Sequence, residues 1–139
     1  MNKLKRFGLA MDEGLLKKLD HIVEKHGYVN RSEAIRDFVR EQLVEDEWQD
    51  PEKIVVGTLT LVYNHHASML SDKLADIQHD FHDHVLVSTH IHLDAHNCAE
   101  VIIIKGKSGM VKKIADRLIA TKGVKHGKLV MTSTGKELE

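Results

Sequence analysis

The chain has little of what several protein classes depend on. It has one cysteine in 139 residues, which excludes an internal disulfide framework and a zinc site built from several cysteines. Only 4% of its residues are aromatic, so we do not expect stacking platforms for single-stranded nucleic acid. It has no run of about 18 apolar residues, so we predict that no segment spans a membrane. The 42% of apolar residues nevertheless suffice for a packed core, in one domain or two small ones.

The composition of the chain suggests both its cellular compartment and the boundary between two domains. Residues 1–11 are basic but contain no long apolar stretch, so we do not predict a secretory signal. The only proline, Pro51, lies in the acidic stretch Glu45–Lys53, which we interpret as a linker. We therefore expect a cytoplasmic protein with one domain over residues 1–48 and another over residues 53–139.

Charge and histidine are distributed unevenly along the chain. Six of the eleven histidines lie between His79 and His96. The net charge of −1 conceals a basic N-terminal part, an acidic and histidine-rich middle, and a basic C-terminal part. An acidic, histidine-rich region suggests a cation site, and a basic N-terminal segment permits a DNA partner.

Hydrophobic periodicity predicts an α+β protein whose two parts differ in the order of their helices and strands. The first part is a strand–helix–helix unit: Lys3–Ala10, Asp12–His26, and a helix from Asn30 to about Glu47. This unit has too little core to fold alone, so it predicts an obligate dimer. The second part has the order βαββαβ of a ferredoxin-like domain, with both helices on one face of a four-stranded sheet. Its elements are Lys53–Asn64, Ala67–Phe81, Val85–Leu93, Cys98–Lys105, Ser108–Ala120 and Val124–Thr132.

Three residues of the predicted β-hairpin form a metal-binding pattern. His90 and His92 project from one face of a strand, about 7 Å apart at their Cα atoms, which is close enough to share a metal ion. Cys98 begins the returning strand, so its sulfur can reach the same place. Two imidazoles and a thiolate suit Ni(II), Cu, Co(II) or Zn(II), and not Mg or Ca. The alternative is that both histidines are exposed strand residues and that Cys98 is a small buried residue.

Other histidines are weaker candidates. His79 lies about 200° around its helix from the apolar stripe, either on a solvated face or as a ligand donated to a neighbouring subunit. The remaining histidines of this region are interpreted as surface residues or accessory ligands: His65, His66, His82, His84 and His96. A catalytic pair of Cys98 and histidine would need an oxyanion hole or a nucleophile elbow, and the sequence has no signature of either, so we do not expect an enzyme.

The start of the second helix completes a pattern typical of DNA binding. Residues 30–37, N-R-S-E-A-I-R-D, predict a capped helix whose first backbone N–H groups can hold a phosphate. Two Lys3–Ala10 strands, paired antiparallel, would fit the DNA major groove. Residues 1–48 thereby resemble a ribbon-helix-helix DNA-binding domain. Residues 53–132, with H-x-H-x5-C and the tail G-V-K-H-G-K-L, resemble the regulatory domain of the nickel-responsive transcriptional regulators, the NikR family.

This resemblance implies a specific assembly and effector. It implies a homotetramer, a dimer of dimers, in which four ferredoxin-like domains of the ACT type carry a ribbon-helix-helix dimer at each end. It implies one Ni(II) per chain in a square-planar site, held by His90, His92 and Cys98 of one chain and His79 of another. Coordination of that geometry selects Ni(II) over tetrahedral Zn(II). Nickel is then expected to promote binding to a double-stranded DNA operator with two half-sites and to repress nickel-uptake genes.

The resemblance also assigns residues to DNA and to a second cation. The base-reading positions of the ribbon are occupied by Arg6, Gly8 and Ala10. Two of these three depart from the hydroxyl residues that the family often has there. The phosphate-binding helix start corresponds to Asn30, Arg31 and Ser32. The positions of a possible second cation site are Glu33 and Asp37, which a solvated acidic face would explain equally well.

Other interpretations stay open at this point. The same architecture could respond to Co, Cu or Zn, and coordination geometry with each metal would decide. A metal-storage or trafficking protein would not bind specific DNA, so Arg6→Ala would change nothing. An ACT module that binds an amino acid would tolerate His90→Ala and Cys98→Ala.

Overall fold

The computed structural model describes residues 3–67 and 69–139. The elements of these residues, in chain order, are α1 (Glu13–His26), α2 (Arg31–Gln49), β1 (Ile54–Asn64), α3 (Leu70–Asp80), β2 (Val85–His92), β3 (Asn97–Lys107), α4 (Ser108–Ile119) and β4 (Val124–Thr132). The predicted α+β class and the βαββαβ order after residue 53 are confirmed. The chain divides into an N-terminal unit that extends to Leu43 and includes Glu137–Glu139, and a C-terminal unit, Val44–Lys136.

Side-chain caps define the ends of the first two helices. The Asp12 side chain accepts hydrogen bonds from the backbone N–H groups of Gly14 and Leu15 and begins α1. Gly27 ends α1 with a positive φ of 74°, a conformation that glycine adopts without steric cost. The Asn30 Oδ1 atom accepts from the Glu33 N–H at 2.9 Å and caps α2. These local signals explain why the sequence places the boundaries of α1 and the start of α2 correctly.

The segment before α1 differs from its prediction. Residues 3–10 were expected to form a strand, and in this single chain they have no regular secondary structure and are exposed. A strand is defined by backbone hydrogen bonds to a neighbouring strand, and a ribbon strand would find its neighbour only in a second chain. The strand therefore stays a prediction about the dimer.

The four strands form one antiparallel sheet in the order β2-β3-β1-β4. Alternate residues of β1 are buried, which places one face of the sheet against the helices. At Gly57 an added Cβ atom would lie 2.9 Å from Val111 of α4, so this glycine permits the close approach of α4 to β1. Polar residues of α3 line a cleft together with Tyr63 of the same buried face. The predicted placement of both helices on one face is confirmed.

Two segments differ most from their predictions, and the limits of the other helices and strands agree within two residues. The predicted helix Ala67–Phe81 begins at Leu70, since residues 65–67 form a turn after β1 and Met69 has a left-handed conformation with φ of 64°. Ser68, which the prediction included, lies outside the described residues. The acidic stretch interpreted as a linker is helical as far as Gln49.

The last turn of α2 is fixed within the C-terminal unit. Trp48 is buried, and its Nε1 donates to the Thr132 carbonyl at 2.9 Å. The Trp48 carbonyl accepts from Lys112 Nζ at 2.9 Å, and Ser108 Oγ donates to the Asp50 carbonyl at 2.7 Å. These contacts close the C-terminal end of α2, whose last carbonyls lack intrahelical partners.

Across the described ranges, 3–67 and 69–139, no helix has the length and apolar content that crossing a membrane would require.

Candidate functional site

The predicted metal ligands of the hairpin lie on neighbouring strands and on one face of the sheet. The imidazoles of His90 and His92 project from the same face of β2, with ring centroids 5.6 Å apart. Cys98 of β3 is directly opposite His92 in the register, and Tyr63 of β1 is directly opposite Cys98. Because directly opposed residues share a face, both imidazoles and the thiol lie on the helix-covered side of the sheet.

The thiol of Cys98 is the deepest of these groups. It is fully buried, and its Sγ donates to the Tyr63 carbonyl at 3.4 Å. Burial raises the pKa of Cys98, the Tyr63 side chain partly opposes that increase, and the nearby Glu100 carboxylate adds to it. A thiol in this environment stays protonated until a cation displaces the proton, because only the thiolate binds a metal.

His79 lies near the end of α3. Its ring stacks on that of His82, with centroids 5.9 Å apart, and it lines a cleft of about 490 Å³ between α3 and β2 together with His90. Over residues 3–67 and 69–139, no group of three or more histidine, cysteine or acidic side chains has a spacing that would hold a metal ion. One chain therefore brings two imidazoles and one thiol near each other without completing a coordination sphere.

A second group of histidines surrounds the outer end of the hairpin. The His65 ring lies 4.0 Å from that of His66 and 4.8 Å from that of His92, between ring centroids. The His66 ring lies 5.8 Å from that of His96. Burial, with the charges of neighbouring histidines, lowers the pKa of His65, so this imidazole is neutral at pH 7. The two other candidates make separate contacts, because His82 pairs with Asp83 and the His84 ring lies 3.3 Å from the Lys105 carbonyl.

The start of α2 carries the predicted phosphate contacts. Asn30 caps the helix, and Arg31 and Ser32 form its first turn, where backbone N–H groups have no intrahelical acceptor. The Arg31 guanidinium also makes a two-point ion pair with Asp20 of α1, with N–O distances of 2.7 and 2.9 Å. This pair connects α1 to α2 and fixes the orientation of the guanidinium at the helix start.

The predicted base-reading residues lie in the exposed segment before α1. Arg6, Gly8 and Ala10 are all exposed there. The apolar side chains of the same segment are exposed as well, by 60% to 80% at Leu4, Phe7 and Leu9. Ribbon pairing with a second chain would cover such side chains, and this pairing stays a prediction.

The two acidic residues of the possible second cation site have separate partners. Asp37 accepts a hydrogen bond of 2.5 Å from the Tyr28 hydroxyl, and Glu33 pairs with Arg36. Their spacing of four residues places both carboxylates on one side of α2. Cation binding here stays a prediction.

Two family models match the chain, and together they cover both units. Residues 56–132 match the NikR C terminal nickel binding domain, and residues 5–46 match the ribbon-helix-helix protein, copG family. A Geobacter sulfurreducens protein, provisionally named nickel-responsive regulator, is 57% identical over 138 residues that cover 99% of each chain. A Thermococcus onnurineus protein with the same provisional name is 53% identical over 98% of this chain and 99% of its own.

The chain belongs to the family of nickel-responsive regulators. The predicted resemblance is therefore confirmed, as is the prediction that the chain is not an enzyme, since these relatives are regulators. A solved structure of an uncharacterized protein from Thermotoga maritima matches with a TM-score of 0.50 at 15% identity. It covers 56% of this chain and 96% of its own, and it supports the fold alone.

The sequence of this nickel-responsive regulator did not predict a polar network that lies beside the hairpin. The Glu100 carboxylate accepts from the Tyr63 hydroxyl at 2.7 Å, from Gln78 Nε2 at 2.5 Å and from Ser88 Oγ at 2.9 Å. Burial and the hydrogen bond to Glu100 raise the pKa of Tyr63, so its hydroxyl stays a donor. One signal was available: an acidic residue interrupts an apolar strand at a position that alternation places on the buried face.

Proposed function

We propose that this member of the nickel-responsive regulators is a DNA-binding repressor that Ni(II) activates. The main support is the arrangement of His90 and His92 on one face of β2 with the Cys98 thiol on β3 directly opposite His92. Two imidazoles and a thiolate are the borderline-soft donors that Ni(II) accepts, so the residues present fit this metal.

The nickel site is proposed to lie between two chains. His90, His92 and Cys98 of one chain would supply three ligands, and His79 of another chain would supply the fourth, with one Ni(II) per chain. The failure of one chain to complete a metal-binding cluster among its described residues is what a shared site requires. Bound nickel would supply a cross-link between subunits, and the thiolate would make its affinity fall at low pH.

We also propose a homotetramer, a dimer of dimers, because one face of the sheet leaves apolar side chains exposed. The face of the sheet opposite the helices exposes Val87, Ile91 and Val130 by 45% to 56%. Val87 and Ile91 lie on β2 and Val130 lies on β4, the two edge strands, so this face exposes apolar side chains at both edges, and a second C-terminal unit would cover it.

The DNA-binding part is proposed to be a ribbon formed by two N-terminal segments. Pairing would bury the exposed Phe7 and Leu9 side chains and would direct Arg6, Gly8 and Ala10 to the major groove. The first turn of α2, with Asn30, Arg31 and Ser32, would contact the phosphates.

Nickel would act by favouring one arrangement of the tetramer. If that arrangement alone lets both ribbons engage their operator half-sites, the second ribbon binds at a high effective concentration. A coupling free energy of about 1–3 kcal/mol is typical of such switches. Repression of nickel-uptake genes when nickel is plentiful is the regulatory outcome that we propose.

The nickel site is tested by titrating the purified protein with Ni(II) under reducing conditions and recording absorption. The wild type should bind about one Ni(II) per chain and show a thiolate-to-nickel band and square-planar features. Both Cys98→Ala and His90→Ala should lose those features, whereas His126→Ala, a histidine on β4, should keep them. A wild type without the band would end the nickel assignment.

The DNA function is tested by selecting duplexes from a random-sequence library. Sequences recovered with Ni(II) should contain two related half-sites, and a chelator should abolish their retention. A metal-storage protein would recover no common sequence, and a regulator of another metal would recover one only with that metal.

A further inference from the structure

A buried carboxylate stands at the centre of the metal-binding face, and the proposed ligand set does not use it. Glu100 is 7% exposed, and burying an ionised carboxylate is costly unless hydrogen bonds satisfy it. Its two oxygens accept three hydrogen bonds, from donors on β1, α3 and β2. Glu100 itself lies on β3, so this one group connects four elements of the fold.

Each donor lies next to a proposed nickel ligand. Gln78 immediately precedes His79 on α3, and Ser88 lies two residues before His90 on the same face of β2. Glu100 lies two residues after Cys98 on β3 and directly opposite His90 in the register. The carboxylate therefore contacts every element that carries a proposed ligand.

The third donor extends the network to an imidazole. The Tyr63 hydroxyl donates to Glu100 and also lies 3.4 Å from Nδ1 of His90. The two rings are T-shaped, with centroids 5.7 Å apart. The orientation of the His90 ring is thus connected to Glu100 through one hydroxyl group.

We propose that Glu100 is a positioning residue for nickel: its carboxylate holds β2, with His90, in a fixed place relative to Cys98 of the same site, and it also holds α3, whose His79 the chain supplies to the site of another chain. This inference rests on the proposed nickel site. Hydrogen-bonded groups behind metal ligands set ligand orientation, and a fully satisfied buried network is rigid. Packing alone would need only an apolar side chain at this position of β3.

Glu100→Gln separates hydrogen bonding from packing. The amide has nearly the same volume, but its NH2 group replaces an acceptor oxygen and would face groups that are themselves donors. The control is Glu52→Gln, which removes the same charge from an exposed ion pair with Lys107. Both full-length variants are first compared with the wild type by thermal melting without metal.

The measured quantities are Ni(II) affinity, by competition with EGTA, and the rate of Ni(II) release. Loss of such a group behind a metal site costs about 10- to 100-fold in affinity. We expect a loss of that size for Glu100→Gln, with faster release and a shifted thiolate-to-nickel band, and an affinity within about twofold of wild type for Glu52→Gln. A merely structural role would lower the melting temperature and leave the affinity and band of the folded protein unchanged.

Two milder variants keep the test decisive if Glu100→Gln does not fold. Ser88→Ala and Gln78→Ala each remove one donor, and each should weaken nickel binding. Their double variant should weaken it by less than the product of the two effects, because both act through one carboxylate. Unchanged affinity in Glu100→Gln or in both single variants overturns the positioning role and leaves the nickel site standing. A wild type without the thiolate band overturns the nickel site itself, and the positioning role with it.

Discussion

The two units of this regulator differ in how much of their apolar surface one chain can bury. In the C-terminal unit, residues such as Leu59, Leu61 and Ile102 are fully buried between one sheet and its helices. In the N-terminal unit, Leu4, Phe7 and Leu9 are largely exposed. A ferredoxin-like fold completes a core within a single chain, whereas a strand and two helices bury too little surface to do so. We therefore expect the N-terminal unit to need the second chain of the proposed ribbon to bury its apolar side chains.

A charge placed in the N-terminal segment should produce the largest difference between the two units. Leu9→Asp should prevent ribbon pairing, because burial of one leucine is worth about 1.5–3 kcal/mol and the dimer contains two. We expect a loss of DNA affinity of at least about 100-fold, with unchanged melting of the C-terminal unit. Electrophoretic mobility shift and differential scanning calorimetry measure the two effects. A loss of C-terminal stability of similar size would contradict the separate dependence on a partner.

Truncation of a core side chain should instead lower the stability of the C-terminal unit. Leu59→Ala leaves a cavity in the centre of β1 and should lower the free energy of unfolding of the C-terminal unit by about 2–5 kcal/mol. Lys113→Ala, at an exposed position of α4, should change it by less than about 0.5 kcal/mol. Urea denaturation of both variants without metal gives the comparison. Equal effects at the two positions would contradict a core that the C-terminal unit completes within one chain.

A smaller effect is expected at the base-reading surface. Arg6→Ala should cost about 1–3 kcal/mol of DNA affinity per contact and leave nickel binding intact. The control is Arg117→Ala, which removes a basic residue of α4 that pairs with Asp80. Fluorescence anisotropy with a selected duplex measures both variants. If they bind alike, the ribbon does not read bases through Arg6.

The smallest expected effect concerns the ion pair between the first two helices. The hydrogen bond and charge of Arg31 lower the pKa of Asp20 below its unfolded value. The pair therefore stabilises the N-terminal unit above the unfolded pKa of about 3.9, and this stability is lost as the pH falls through the lower folded pKa. Denaturation midpoints at pH 7 and pH 3 should differ less in Asp20→Asn than in the wild type. Glu24→Gln, on the same helix, is the control for loss of charge.

Local signals predicted most of the fold, and non-local contacts account for what they missed. Asp12, Gly27 and Asn30 act on their own neighbours in sequence, so their caps are readable without a structure. Strand alternation likewise gave β4 its observed limits. The start of α3 was missed because it depends on the left-handed Met69, which periodicity does not reveal.

The candidate site likewise has a part that the sequence predicts and a part that depends on non-local contacts. The spacing of His90, His92 and Cys98 places all three on one hairpin face, and the structure has them there. Tyr63, Gln78 and Glu100 are far apart in sequence, so only the folded chain brings their hydrogen bonds together. The proposed partner of the Lys3–Ala10 segment belongs to a second chain, so neither the sequence nor the structure of one chain gives its contacts.

The buried end of α2 also gives the molecule an optical reporter. Trp48 is the only tryptophan in the sequence, so all indole emission of the protein comes from one position. Its ring is enclosed beside Gly57, and its N–H group is hydrogen-bonded to the Thr132 carbonyl. Emission should therefore be blue-shifted in the folded protein and move to longer wavelength when the C-terminal unit opens. Events confined to the N-terminal segment should leave the spectrum unchanged, so one unlabelled sample separates the behaviour of the two units.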